Sequence, residues 1–123
     1  MNHSSTAHRI SVYATGRWVG FHCWPNAPDH VGFLRDRHRH EFHWKVSWAV
    51  EHEDRQVEFC SEKDRVDTAI ASMKDNPITA TWSCESWATY LLNEFKATEV
   101  SVSEDGESGA VVKRLTDQNL EDI

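Results

Sequence analysis

The chain has 123 residues and a mass of 14.2 kDa, enough for one domain with one core. Thirteen Lys plus Arg against 20 Asp plus Glu leave a formal net charge of −7, the wrong sign for a protein that draws in nucleic-acid phosphates or an anionic membrane surface. Apolar content is 39% and mean hydropathy −0.64, yet six Trp, five Phe and two Tyr are too many bulky rings for a disordered chain.

From Arg9 to His22 the even positions read Ile10, Val12, Ala14, Gly16, Trp18, Gly20, His22, and the odd ones Ser11, Tyr13, Thr15, Arg17, Val19, Phe21. This period-2 pattern predicts a strand, with a bulge at the glycine pair. Cys23 to Arg37 holds Pro25, Pro28 and Gly32 and reads as a loop. His38 to Glu51 is the clearest element. Its even positions are His38, His40, Phe42, Trp44, Val46, Trp48 and Val50, and its odd positions are mostly polar, as in a half-buried strand. After a turn at Glu53-Asp54, Gln56 to Cys60 reads as a short returning strand.

Ser61 to Met73 predicts a helix capped by Ser61, with Val66, Ala69, Ile70 and Met73 on one stripe, ended by Asn76-Pro77. Ser83 to Phe95 predicts a second helix capped by Ser83, with Trp87, Ala88, Leu91, Leu92 and Phe95 inward. Glu99 to Ser103 and Ala110 to Leu115 form a final hairpin around Asp105-Gly106 and Ser108-Gly109. The fold class is α+β, one antiparallel sheet of four main strands with both helices on one face and two open edges that invite another subunit. Residues 1–8 and 116–123 read as flexible ends of a single domain spanning 1–123.

Cys23, Cys60 and Cys84 are an odd number without a CxxC pair, and Met1 to Arg9 has no apolar core of a secretory signal. The expectation is a cytoplasmic protein whose cysteines are small buried hydrophobes. Cys23, next in chain to His22, is expected to point to the opposite face. No apolar stretch reaches the roughly 18 residues of a membrane span.

Eight histidines are many for this length, and their placement is informative. His38 and His40 leave the same strand face, at one end of the row Phe42, Trp44, Val46. His22 ends its own strand in the phase of Ile10, Val12 and Trp18. Three neutral imidazoles with one open position describe a catalytic-type zinc site. The plainer alternative is a chance HxH in a His-rich chain, with hydrogen-bonded or exposed rings. His43 and His52 face solvent. Glu104 follows Val100 and Val102 on their strand face, so a carboxylate closes an apolar row. A planar N–H/NH₂ edge would pair it in bidentate fashion, unless the strand stops at Ser103 and leaves Glu104 in water. Trp18, Trp44 and Trp48 read as core.

Together, Trp18-Val19-Gly20-Phe21-His22, His38-Arg39-His40-Glu41-Phe42, Ser83-Cys84-Glu85-Ser86 and Val100-Ser101-Val102-Ser103-Glu104 resemble, in order, the 6-pyruvoyltetrahydropterin synthase and 6-carboxytetrahydropterin synthase family. The resemblance covers most of residues 10–112. It implies a tunnelling fold (T-fold), in which several subunits, a trimer-based hexamer or a tetramer, close a barrel. It implies zinc on His22, His38 and His40, and Glu104 gripping the ring edge of a pterin, with Ser83 and Glu85 nearby at a subunit interface. Family members act as lyases on 7,8-dihydroneopterin triphosphate in the tetrahydropterin and 7-deazaguanine pathways.

The chain departs from the family in three places. The family's catalytic Cys lies a few residues before HxH, where this chain has Phe33, Leu34 and Arg35. The family's His-Gly-His-Asn is His38-Arg39-His40-Glu41 here. The family's Asp-His pair after the first helix has only Asp75-Asn76 near its place. Three functions follow: a zinc-dependent lyase on a reduced pterin triphosphate, a catalytically impaired protein that binds a pterin, purine or nucleotide, or an oligomer in which the histidines merely hold zinc. The expected partners are a small heterocycle and further copies of the chain, with no nucleic acid and no membrane.

Overall fold

The computed structural model describes residues 8–115. The predicted flexible ends therefore lie outside the described residues, except for His8. Strand β1 (Ile10–His22) runs antiparallel to β2 (His38–Val50) in an unbroken register from Ile10 opposite Val50 to His22 opposite His38. β2 continues to β3 (Glu99–Glu104), with Phe42 opposite Glu104, and β3 to β4 (Ser108–Lys113). The sheet order is β1-β2-β3-β4, so β1 and β4 are its edges. Even-numbered residues of all four strands share one face, because every pairing joins even to even.

The expected bulge at the glycines is absent. Gly16 and Gly20 serve close approach instead. A Cβ on Gly16 would stand 2.5 Å from Trp44 Nε1, and one on Gly20 would stand 2.9 Å from Trp18 Nε1. The glycines let large rings lie flat across the strand, as in the Trp18–Phe42 stack at 4.9 Å between centroids.

Helix α1 spans Phe59–Met73 and α2 spans Cys84–Glu94. Both pack on the even face, in one core that joins Trp18, Phe42, Trp44, Val46, Trp48, Val100 and Val102 to Val66, Ile70, Trp87, Leu91 and Leu92. The predicted helical stripes and the three core tryptophans are thus where the periodicity put them. The short strand expected at Gln56–Cys60 does not form. Phe59 and Cys60 belong to the first turn of α1, and Glu58, rather than Ser61, caps it by accepting from the Cys60 and Ser61 amides. A carboxylate at a helix N-terminus satisfies two otherwise orphaned donors and the helix dipole together. Ser83 caps α2 as expected, accepting from Ser86 N at 3.1 Å. The predicted loop after β1 contains a kinked 3₁₀ segment, Asp29–Arg35, and a second 3₁₀ segment, Pro77–Thr81, links the helices. Among the described residues no helix is long and apolar enough to cross a membrane.

β3 and β4 meet through Asp105, Gly106 and Glu107, with Asp105 at φ 57° and Gly106 at φ 72°. Left-handed backbone at two successive positions suits an Asp-Gly turn. Asp105 N also donates to Glu41 O at 2.7 Å, which pins the turn against β2. Glu104 is therefore a strand residue, not a solvated residue beyond the strand.

Candidate metal and ligand site

At one end of the covered face, His22 and His38 stand opposite each other across β1 and β2, and His40 follows two residue pairs inward. Side chains two apart on a strand, and directly paired across two strands, must share a face. One ring nitrogen from each of the three lies within 4.8 Å of the others. The ring centroids are 4.5, 5.2 and 4.9 Å apart for His22–His38, His22–His40 and His38–His40, each pair edge to face.

The outer nitrogens decide which atoms point inward. His22 Nδ1 contacts Trp82 O at 3.2 Å, His38 Nδ1 contacts Asp36 O at 2.7 Å, and His40 Nδ1 contacts Asp105 Oδ2 at 2.7 Å. A carbonyl oxygen and an ionised carboxylate only accept, so each Nδ1 donates. In the neutral ring Nε2 then carries a lone pair. His38 Nε2 and His40 Nε2 are buried and have no hydrogen-bond partner. Buried acceptors left unpaired cost about 1–3 kcal/mol each. Three inward lone pairs, each with its ring held from behind, are what a metal ion requires of imidazole ligands. The residues present fit a metal, and three imidazole donors suit a first-row transition ion.

Glu104 faces the same space. Its Oε2 is 3.1 Å from His22 Nε2, and its Oε1 is 3.7 Å from His40 Nε2. Burial pushes the His22 imidazole below its ordinary value of 6.5, against the upward pulls of the Trp82 carbonyl and the Glu104 charge. Asp105 is held below the ordinary carboxylate value first by the Glu41 N–H and then by His40.

Beside the histidines lies a cavity of about 450 Å³, whose wall includes His22, His38, Leu34, Trp82, Ser83 and Glu104. Glu85 and Cys84 line it too, so all three expected ligand-binding residues, Ser83, Glu85 and Glu104, reach one cavity with two of the expected metal ligands. The Ser83 hydroxyl is engaged in the α2 cap, which positions the first turn of α2 along the wall. A larger hollow of about 840 Å³ runs beside β1 and α1, and includes Lys45, Lys63 and Asp67. Among the described residues no metal-ligating cluster lies there.

The cysteines differ from the uniform reading as buried hydrophobes. Cys84 is buried, Cys23 half-buried and Cys60 exposed on α1. Cys60 is exposed because the chain there is helical, so a strand's alternation does not apply. Cys23 lies past the end of β1, with its N–H bonded to Ala80 O, and lines the same cavity as His22. The Cys84 thiol is pushed up to about 12 by burial and by the charges of Glu104 and Glu85. It stays protonated and un-nucleophilic at neutral pH. Leu34, near the place of the family thiol, does face the cavity. His52 is exposed, and His43 is half-exposed near Glu41. Asp75-Asn76 caps the second 3₁₀ segment through Asn76, away from the cavity-lining residues.

Sequence reasoning missed Asp36, Trp82 and Asp105, which hold the three rings. Asp105 carried a faint signal as the residue after Glu104 in a turn that must fold back beside β2. The carbonyls of Asp36 and Trp82 carried none, since backbone atoms have no sequence signature. No protein-family model matches the chain, and a search of curated proteins finds no match.

Proposed function

We propose that this chain is a zinc-dependent T-fold protein of the 6-pyruvoyl/6-carboxytetrahydropterin synthase type that takes a reduced pterin, 7,8-dihydroneopterin triphosphate or a close relative, into the cavity beside His22. The observation that carries this reading is the convergence of three imidazole Nε2 atoms whose Nδ1 atoms are all engaged from behind. His22, His38 and His40 would hold the metal. When bound, zinc supplies a Lewis acid for oxygens on the ligand's side chain.

The chain's own residues do the rest. Glu104 accepts two N–H donors from the 2-amino-4-oxo edge, a charged bidentate pairing. Ser83 and Glu85 border the same wall, and Leu34, Trp24 and Trp82 give it apolar surface. A proton shuttle is the weak part of the site. Leu34 cannot ionise, and Cys84 holds its proton. That observation favours a second reading, a protein that binds or sequesters a pterin, purine or nucleotide with slow turnover. Assembly completes the proposal. The outer edges of β1 and β4, and the exposed Tyr13, Val19, Phe21 and Val111 on the helix-free face, suit a barrel closed by other subunits, a trimer-based hexamer or a tetramer.

Purified protein should contain about one zinc per chain and bind a pterin in a calorimetric titration, with Glu104→Ala weakening the pterin by about tenfold or more. Incubation with 7,8-dihydroneopterin triphosphate should release triphosphate slowly or not at all. A zinc-free protein that also ignores pterins and guanine overturns the proposal. Rapid release overturns the slow-turnover part and turns attention to Cys23. A monomer by light scattering refutes the barrel.

A further inference from the structure

We infer that Glu104 has two uses: it is the fourth ligand of the metal while the cavity is empty, and it leaves the metal to grip a heterocycle when one enters. The inference rests on the metal-site reading above and adds an occupant for the open position.

Geometry carries it. Glu104 ends β3 opposite Phe42, two residues along β2 from His40, on the face that carries the three histidines. Its carboxylate oxygens stand 3.1 Å from His22 Nε2 and 3.7 Å from His40 Nε2. Two ligands about 2.0–2.1 Å from a tetrahedral zinc are separated by roughly 3.3 Å. The observed spacings bracket that value, so the carboxylate already sits at ligand-to-ligand distance from two of the three nitrogens.

Chemistry points the same way. With every Nδ1 donating outward, the inward Nε2 atoms of the neutral rings are lone pairs, and so are the carboxylate oxygens. The Glu104 oxygens lie beside the three-histidine cluster, against His22 Nε2 and His40 Nε2, so a cation held by the imidazoles would draw in the carboxylate and satisfy His38 Nε2 and His40 Nε2 as well. The backbone beneath Glu104 is held by Asp105 N to Glu41 O at 2.7 Å and Glu107 N to Glu104 O at 3.0 Å. Any exchange between metal and heterocycle is therefore a rotation of the Glu104 side chain, and Glu104 also lines the cavity. The site would then open its coordination position only to a ligand that can pay Glu104 back with two N–H donors. Specificity for the heterocycle and access to the metal are one event.

The test uses the full chain stripped of metal with a chelator. Zinc affinity is measured by competition with a chromophoric chelator for wild type and Glu104→Gln, and the absorption bands of the cobalt(II)-loaded forms are recorded with and without guanine. Guanine presents the amino-oxo edge and lacks a side chain that could reach the metal. The expected results are an affinity loss of at least about tenfold in Glu104→Gln, and a change in the cobalt bands when guanine is added to wild type. Equal zinc affinity with equal cobalt spectra overturns the inference, even if Glu104→Gln loses guanine, and that pattern leaves the proposed function standing. Failure of wild type to bind any metal overturns both. Should Glu104→Gln not fold, the guanine response of cobalt-loaded wild type decides alone, and unchanged bands at saturating guanine count against the inference.

Discussion

The two ends of the covered sheet face are made by the same strands in the same register, yet they solve opposite problems. At one end Val46, Val100 and Val102 meet Val66 and Leu91, all fully buried, and the one polar ring atom of Trp48 donates to Phe95 O at 2.9 Å. At the other end the same even positions carry His22, His38, His40 and Glu104. Two buried imidazole nitrogens have no partner there. Apolar side chains in those places would stabilise the fold more. What the comparison teaches is where to look for chemistry. Trp44 Nε1, against Gly16, is also buried without a partner, but only at the histidine end are unpaired nitrogens backed by ring atoms held from behind, by Trp82, Asp36 and Asp105.

If the ends differ in this way, substitutions should separate metal from stability. The largest effect is expected for His40→Ala. On the proposed zinc reading, a site worth about 10–16 kcal/mol shared over four ligands would lose about 2.5–4 kcal/mol with one of them. Zinc affinity should fall by roughly a hundredfold to a thousandfold, while denaturant unfolding of the metal-free protein changes little. A metal-free variant as unstable as a core truncation would erase the contrast. Leu91→Ala tests the dry end. It should lower unfolding free energy by about 2–5 kcal/mol and leave zinc stoichiometry intact in the folded protein, as read by urea titration and elemental analysis.

Asp105→Ala sharpens the comparison, because it removes the group behind the His40 ring, together with the acceptor of the Glu41 N–H. A loss of about 10–100-fold in zinc affinity with zinc still bound is expected. Wild-type affinity would mean that the outward bonds are incidental. Ser83→Ala removes a helix cap on the cavity wall and should cost about 1 kcal/mol of stability, measured by thermal or urea unfolding. The smallest effect belongs to Glu58, at the exposed start of α1. Hydrogen bonds from the Cys60 and Ser61 amides and the Ser61 hydroxyl hold its carboxyl below the ordinary value of 4.5. A group whose folded value is depressed adds stability above its unfolded value and loses it as pH falls through the folded one. Glu58→Gln should therefore flatten part of the stability loss below pH 4.5, seen as a shallower trend of urea midpoints with pH. An unchanged trend would deny the cap its charge.

Much of this molecule is determined locally. Alternation in Ile10–His22 and His38–Val50 assigns each side chain to a face before any partner is known, because a strand's period is two whatever it pairs with. The stripes Val66–Ile70 and Trp87–Leu91 assign the helices' inner sides by the same kind of argument. His38 and His40 share a face on that ground alone, and Glu104 joins them once β3 is allowed one more residue. What the period does not contain is distance between elements. Only the folded chain brings Trp82 O to His22 across 60 positions and Asp105 to His40 across 65. Only the fold turns Leu34 and Cys23 toward one cavity, and only the Glu58 cap makes helix of residues 59–60, whose pattern alone reads as strand. Faces follow from backbone geometry, which each residue carries with it. The site depends on which faces and loops meet, and that is decided by the register of β1 on β2, the packing of α2, and the turn at Asp105-Gly106.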